Sequence, residues 1–174
     1  LSVLPRLVNI HFNVSSPVKF TEEQKTLTIY ATCNGFSYMS SSLDPSSFTW
    51  STGDPSVATV DQSGVIRLKS KGNTTVTATL KSCPDKILTA DLNAYYDLED
   101  SKETSLTYTG SWKYTGKPIT FSPVLKFHDR TLTEGKDYTL SFSNNQNSGV
   151  GTFTITGLGL YSGTLTNNFG IWQI

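Results

Sequence analysis

Phe48-Thr49-Trp50-Ser51-Thr52-Gly53-Asp54-Pro55-Ser56-Val57-Ala58-Thr59-Val60-Asp61-Gln62-Ser63-Gly64-Val65-Ile66 is the stretch that decides the fold. Phe48 and Trp50 lie two residues apart, so on a strand both point to one face, where an indole fills the space between two packed sheets. Gly53-Asp54-Pro55 and Gln62-Ser63-Gly64 carry turn chemistry, and Val57 and Val60 flank a short, twisted edge segment after Pro55. Asp54 and Asp61 read as turn formers. A catalytic carboxylate pair is the sharper alternative, but turn placement accounts for both.

The alternation extends outward in both directions. Runs of period two cover Leu27 to Cys33, Phe48 to Ser51, Val65 to Leu68, Thr75 to Leu80, Ile119 to Phe127, Tyr138 to Phe142, Gly151 to Thr156 and Thr164 to Ile171. Lys71-Gly72-Asn73, Glu134-Gly135-Lys136 and Asn147-Ser148-Gly149 separate them as further turns, and helical periodicity is nearly absent. The prediction is an all-β protein of the sandwich or barrel kind. At 174 residues the chain is long for one small β module and suits two. Asp97 to Glu103 (DLEDSKE) is its most charged stretch and the natural linker, dividing the chain into domains 1–98 and 99–174.

Charge excludes one class of partner. With 14 basic and 14 acidic residues there is no Lys/Arg stripe to neutralise phosphates, so nucleic acid is not expected. No stretch reaches the roughly 18 apolar residues that span a bilayer, so no membrane insertion is expected of this segment, and the first residues lack a signal-peptide pattern. Charged residues make up only 16% while Ser, Thr, Asn and Gly are abundant, a balance expected of an extracellular β protein.

The Phe48 to Ile66 stretch, followed by Gly72-Asn73-Thr74-Thr75-Val76-Thr77-Ala78, resembles the bacterial immunoglobulin-like domain, group two. The likeness covers roughly residues 7 to 96 and loosens over Asn9 to Lys25 and Pro84 to Tyr96. An immunoglobulin-like order implies that Cys33 ends the second strand and Cys83 follows the sixth, in opposite sheets, with both at one pole. A Cys33–Cys83 disulfide follows from that order, and by chain entropy would add about 4 kcal/mol by closing about 50 residues. Two unrelated thiols are the alternative. Zinc is not expected, because His11 and His128 lie in different modules.

Tyr114-Thr115-Gly116-Lys117-Pro118, then Leu132-Thr133-Glu134-Gly135-Lys136-Asp137-Tyr138, then Gly157-Leu158-Gly159-Leu160-Tyr161-Ser162-Gly163 look like a β repeat module of Gram-positive surface proteins, over about residues 105 to 171. The two resemblances together imply tandem immunoglobulin-like β-sandwich modules. Tyr114, Tyr138, Phe142, Phe153, Tyr161 and Phe169 are expected mostly in the core. The alternative for Tyr161 and Trp172 is a sugar-stacking platform beside Asn144, Asn145 and Asn147. Gly157 and Gly159 precede another strand, so no helix N-terminus is on offer to a phosphate.

Minor motifs have plainer readings. Asn13-Val14-Ser15 and Asn73-Thr74-Thr75 fit the glycosylation sequon by chance. Asp97, Glu99 and Asp100 are a solvated linker before they are a calcium site. Two histidines and no nucleophile elbow leave hydrolysis without machinery, so neither catalysis nor a cofactor is expected. Leu1 to Phe12 is apolar enough to pair with a neighbouring copy. The expectation is a non-catalytic cell-surface or cell-wall spacer or adhesion segment, whose partners are the other domains of a larger parent. The rivals are a module binding a surface glycan or host protein, with Phe36 and Tyr38 as further candidate ligand-binding residues, and an accessory domain of a secreted enzyme or phage virion.

Overall fold

Among the described residues, strands account for the regular structure apart from one 3-10 turn, Pro45–Ser47, as the alternation predicts. The computed structural model describes residues 7–33 and 40–173. The chain divides into two compact units, one running to Ala94 and one beginning at Tyr95.

The first unit holds β1 (Leu7–Phe12), β2 (Gln24–Thr26), β3 (Ile29–Cys33), β4 (Ser40–Leu43), β5 (Phe48–Thr52), β6 (Ala58–Val60), β7 (Val65–Leu68), β8 (Gly72–Leu80) and β9 (Ile87–Ala94). They form three sheets of order β1-β3-β4, β2-β7-β6 and β5-β8-β9. Phe48 and Trp50 are buried on one face of β5 while Thr49 faces out, which is the period-two arrangement expected of them. Val76 and Ala78 of β8, with Ala90, Leu92 and Ala94 of β9, line the same sheet's inner face. The Trp50 Nε1 donates to the Pro45 carbonyl at 3.0 Å, so the indole is pinned at its polar end as well as packed. Gly64 closes the core from the other side. Its φ is +76°, and a Cβ there would sit 2.9 Å from the Leu27 carbonyl oxygen and 3.0 Å from the Trp50 ring.

The second unit holds β10 (Tyr96–Asp97), β11 (Thr104–Thr107), β12 (Ser111–Lys113), β13 (Val124–Phe127), β14 (Arg130–Thr131), β15 (Tyr138–Ser143), β16 (Gly149–Gly157), β17 (Tyr161–Ser162) and β18 (Thr164–Trp172). Its sheets are β10-β17, β11-β13-β14 and β12-β18-β16-β15. The core is aromatic. Phe121 sits edge-on to Phe142, Phe153 and Phe169, at ring-centroid distances of 5.1, 5.3 and 5.2 Å, and stacks on Trp112 at 5.2 Å. A second cluster joins Tyr96, Phe127 and Tyr161, with the Arg130 guanidinium 5.6 Å above the Tyr96 ring.

Several expectations are corrected. The Leu27 to Cys33 run is strand only from Ile29, because the Leu27 amide still donates to the Gly64 carbonyl at the end of the β2–β7 pairing and the chain changes sheet there. Of the predicted strand Ile119 to Phe127 only β13 is strand; Pro118 and Pro123 have no N–H for a ladder, and the freed loop drops Phe121 into the aromatic cluster. Asp97 to Glu103 is no solvated linker: Leu98 is fully buried, its amide donates to Ser162 O at 2.9 Å, and the turn belongs to the second unit. β1 pairs antiparallel with β3 of its own unit and stands at the edge of its sheet.

Candidate functional site

The carboxylates singled out by sequence are spent on turns. Asp54 Oδ1 accepts from the Ser56 amide at 2.9 Å and the Ser56 hydroxyl at 2.6 Å. Asp61 Oδ1 accepts from the Ser63 and Val65 amides at 2.9 and 3.1 Å, while Oδ2 accepts from Arg67 at 3.0 Å. Each turn orients one carboxylate locally, and the turn-former reading holds. These bonds favour the charged form: the Ser56 hydroxyl holds Asp54, and the Arg67 guanidinium holds Asp61, below the ordinary value of 3.8.

A pH dependence follows from the sign. A carboxyl group whose folded pKa is depressed contributes stability that is present above its unfolded value and is lost as pH falls through the folded value. The urea midpoint of the first unit should therefore stay level from neutral pH to about 4.5 and fall below that. Asp61→Asn should flatten part of the fall; an unchanged acid limb in that variant would mean the Asp61 turn bonds contribute nothing.

The carboxylates of the acidic stretch also accept backbone hydrogen bonds. Asp97 Oδ1 and Asp100 Oδ1 accept from the amides of Glu99 and Lys102, both at 3.1 Å, and Glu99 Oε1 accepts from the Thr164 amide at 3.0 Å. Among the described residues no group of three or more His, Cys, Asp and Glu is placed to hold a metal ion. His11 stacks on Tyr30, while His128 lies in the other unit, 3.0 Å from Glu103 Oε2. Gly157 and Gly159 make the strand-to-strand turn expected of them, with the Gly157 amide donating to Gly163 O.

The candidate ligand-binding residues do not assemble as one platform. Tyr161 is buried in the Tyr96 and Phe127 cluster, which removes it from any surface. Trp172 is 64% exposed and Tyr114, expected in the core, is 36% exposed. Asn145 is drawn inward, its amide nitrogen donating to the Ile119 carbonyl at 2.8 Å, and Asn144 takes a left-handed turn conformation. Phe36 and Tyr38 lie outside the described residues.

The expected Cys33–Cys83 bridge is not made in this structure. Cys83 is a half-buried free thiol in the turn after β8, the eighth strand and not the sixth; Cys33 ends β3, and its side chain lies outside the described residues. A cleft of 290 Å³ between β1 and the β8–β9 turn is lined by Asn9, Ile10, Leu80, Asp85, Lys86 and Ile87 among others.

No curated protein matches this chain. Among solved structures it is similar to the S-layer protein rSbsC(31-844), with 16% identity and a TM-score of 0.32 over 84% of this chain and 23% of that one. It is similar also to surface layer protein SbsC domains 1-6, with 15% identity and a TM-score of 0.33 over 86% of this chain and 23% of that one. SbsC domains 4 and 5 match at 16% identity and a TM-score of 0.33, over 94% of this chain and 98% of that one. The chain thus spans about a quarter of the length of the first two. Residues 15–90, which hold β2 to β8 and the Trp50 core, match the family model of the bacterial Ig-like domain (group 2).

Proposed function

We propose that this chain is a non-catalytic segment of an extracellular, cell-surface protein, two β units in series that space or hold a neighbouring part of the parent under tension. The family match of residues 15–90 supports a bacterial surface role for the first unit. The second unit is read as a surface-protein β repeat on its own motifs, such as Tyr114-Thr115-Gly116-Lys117.

The observation that carries the reading is how the second unit ties its incoming segment to its outgoing strand. In the second unit β10 runs parallel to β17, with Tyr96 N donating to Leu160 O at 2.8 Å and Leu98 N to Ser162 O at 2.9 Å. Only Gly163 separates β17 from β18, the strand by which the chain leaves. Tension that draws residue 95 back and residue 173 forward slides parallel neighbours past one another. Their hydrogen bonds are then loaded side by side, in shear, and do not open one at a time. Behind this pair stands a second parallel one: β12 against β18, with Tyr114 N donating to Trp172 O at 2.7 Å and Gly170 N to Gly110 O at 2.8 Å. In the first unit the incoming strand β1 pairs antiparallel with β3, and the parallel contact to the outgoing strand comes only after it and is a single bridge. Val18 bridges parallel to Leu92 of β9, through Val18 N to Asp91 O at 2.7 Å and Asn93 N to Val18 O at 3.0 Å.

Pulling the full chain from its two ends at constant speed should therefore give two releases, the first unit at lower force. The units end at residues 94 and 174, so their lengths differ by 14 residues, or about 50 Å of extended chain, which identifies each event. Tyr114→Pro deletes the donor to Trp172 O and should lower the second unit's release force. Ile155→Val, a core change worth about 1 kcal/mol, should not do so at a matched urea midpoint. Equal release forces for the two units, or equal forces in these two variants, would sink the reading of a segment held under tension.

A further inference from the structure

The sheet β12-β18-β16-β15 turns one face outward whose chemistry the spacer reading does not use. Along β15, β16 and β18 the outward positions are threonine, serine or asparagine, apart from Val150, Gly170 and Trp172; β12 adds Ser111 and Lys113, the one charged group on this face. The polar groups form rows across the strands. Thr152 Oγ1 donates to Asn168 Oδ1 at 3.1 Å, and the Thr154 and Thr166 hydroxyls lie 3.4 Å apart.

One end of the face is aromatic. Trp172 and Val150 are each 64% exposed, and the register sets Val150 directly across from Gly170. A Cβ on Gly170 would lie 3.4 to 3.6 Å from Nε1, Cε2 and Cζ2 of Trp172. The indole therefore rests against the bare backbone of Gly170, in the place a side chain would otherwise fill. The result is an exposed indole shelf beside Val150, followed by hydroxyl and amide groups at a strand spacing of about 4.8 Å and a same-face repeat of about 6.8 Å along each strand.

We propose that this face binds an uncharged glycan chain, with one pyranose ring stacked on Trp172 and the next rings hydrogen-bonded by Asn168 and Thr152. A pyranose offers an apolar C–H face to an indole and an edge of neutral hydroxyls to side chains that both donate and accept. A polyanion is a poor fit to a face with a single cation, and nothing here is arranged to neutralise phosphates. The proposal stands on this face alone and does not depend on load bearing.

The test titrates the full chain with neutral hexamers of β-1,4-linked glucose, mannose and N-acetylglucosamine, and with an acidic hexamer of galacturonate, followed by tryptophan fluorescence and calorimetry. At least one neutral hexamer should bind saturably. Trp172→Ala should weaken it about 10-fold or more, as loss of a central aromatic anchor does, with no shift in the urea midpoint because the ring is mostly solvent-exposed. Asn168→Ala should weaken it by a smaller factor. The proposal is overturned if no neutral hexamer saturates up to about 10 mM, if Trp172→Ala binds as the parent does, or if only the acidic hexamer binds.

Discussion

Trp50→Ala is expected to cost the first unit about 3–5 kcal/mol, a large part of the roughly 5–15 kcal/mol that holds an ordinary domain folded. The indole is 4% exposed, with ring centroids 6.1 Å from Phe12 and 6.3 Å from Phe48, and its outer edge closes against Gly64. Truncation opens a cavity that the rigid Gly64 turn cannot collapse into, and it strips the Pro45 carbonyl of the Nε1 donor. Trp50→Phe retains a ring but no donor and should fall between the parent and the alanine variant. Urea unfolding followed by circular dichroism measures both. A cost under about 1 kcal/mol for the alanine variant would show that the indole is not the wedge of this core.

The second unit should respond as strongly to Phe153→Ala, again by about 3–5 kcal/mol. Phe153 is fully buried on β16, edge-on to Tyr108 at 4.7 Å and to Phe121 at 5.3 Å, with Phe142 and Phe169 at 6.3 and 6.5 Å. Aromatic pairs of this geometry contribute about 0.5–1.5 kcal/mol beyond the area they bury. Phe153→Leu, which keeps much of the volume, should therefore still be measurably destabilised. Scanning calorimetry decides between the two contributions: if the leucine variant melts with the parent, the edge-to-face geometry adds nothing and only volume matters.

Both variants act on residues that alternation alone assigns to an inner face, and this marks how far local pattern reaches. The turns were equally legible. Asp54 and Asp61 have the amide and hydroxyl partners that short polar side chains find within a few residues, so their role follows from a five-residue window. β9 was harder to see. Its buried positions are Ala90, Leu92 and Ala94, and alanines give a weak apolar signal although β8 supplies a full antiparallel partner.

The candidate sites were less legible than the fold, because exposure is a property of the assembled units. Tyr161 and Trp172 are both aromatic, both on strands and only eleven positions apart, yet one is buried against Tyr96 and Phe127 and the other lies across Gly170 in solvent. Nothing local to either residue distinguishes them. The parallel pairing of β10 with β17 and of β12 with β18 likewise joins segments more than fifty residues apart, and it is invisible to any pattern of period two.

Local pattern suffices to show that the chain is all-β, that Phe48 and Trp50 share an inner face, and where the Asp and Gly turns fall, because strand periodicity and turn geometry are set by residues within a few positions of one another. That Leu98 is core, that Phe121 joins an aromatic cluster from a loop, and that Trp172 remains outside emerge from long-range packing, because burial depends on which distant segments close over a residue.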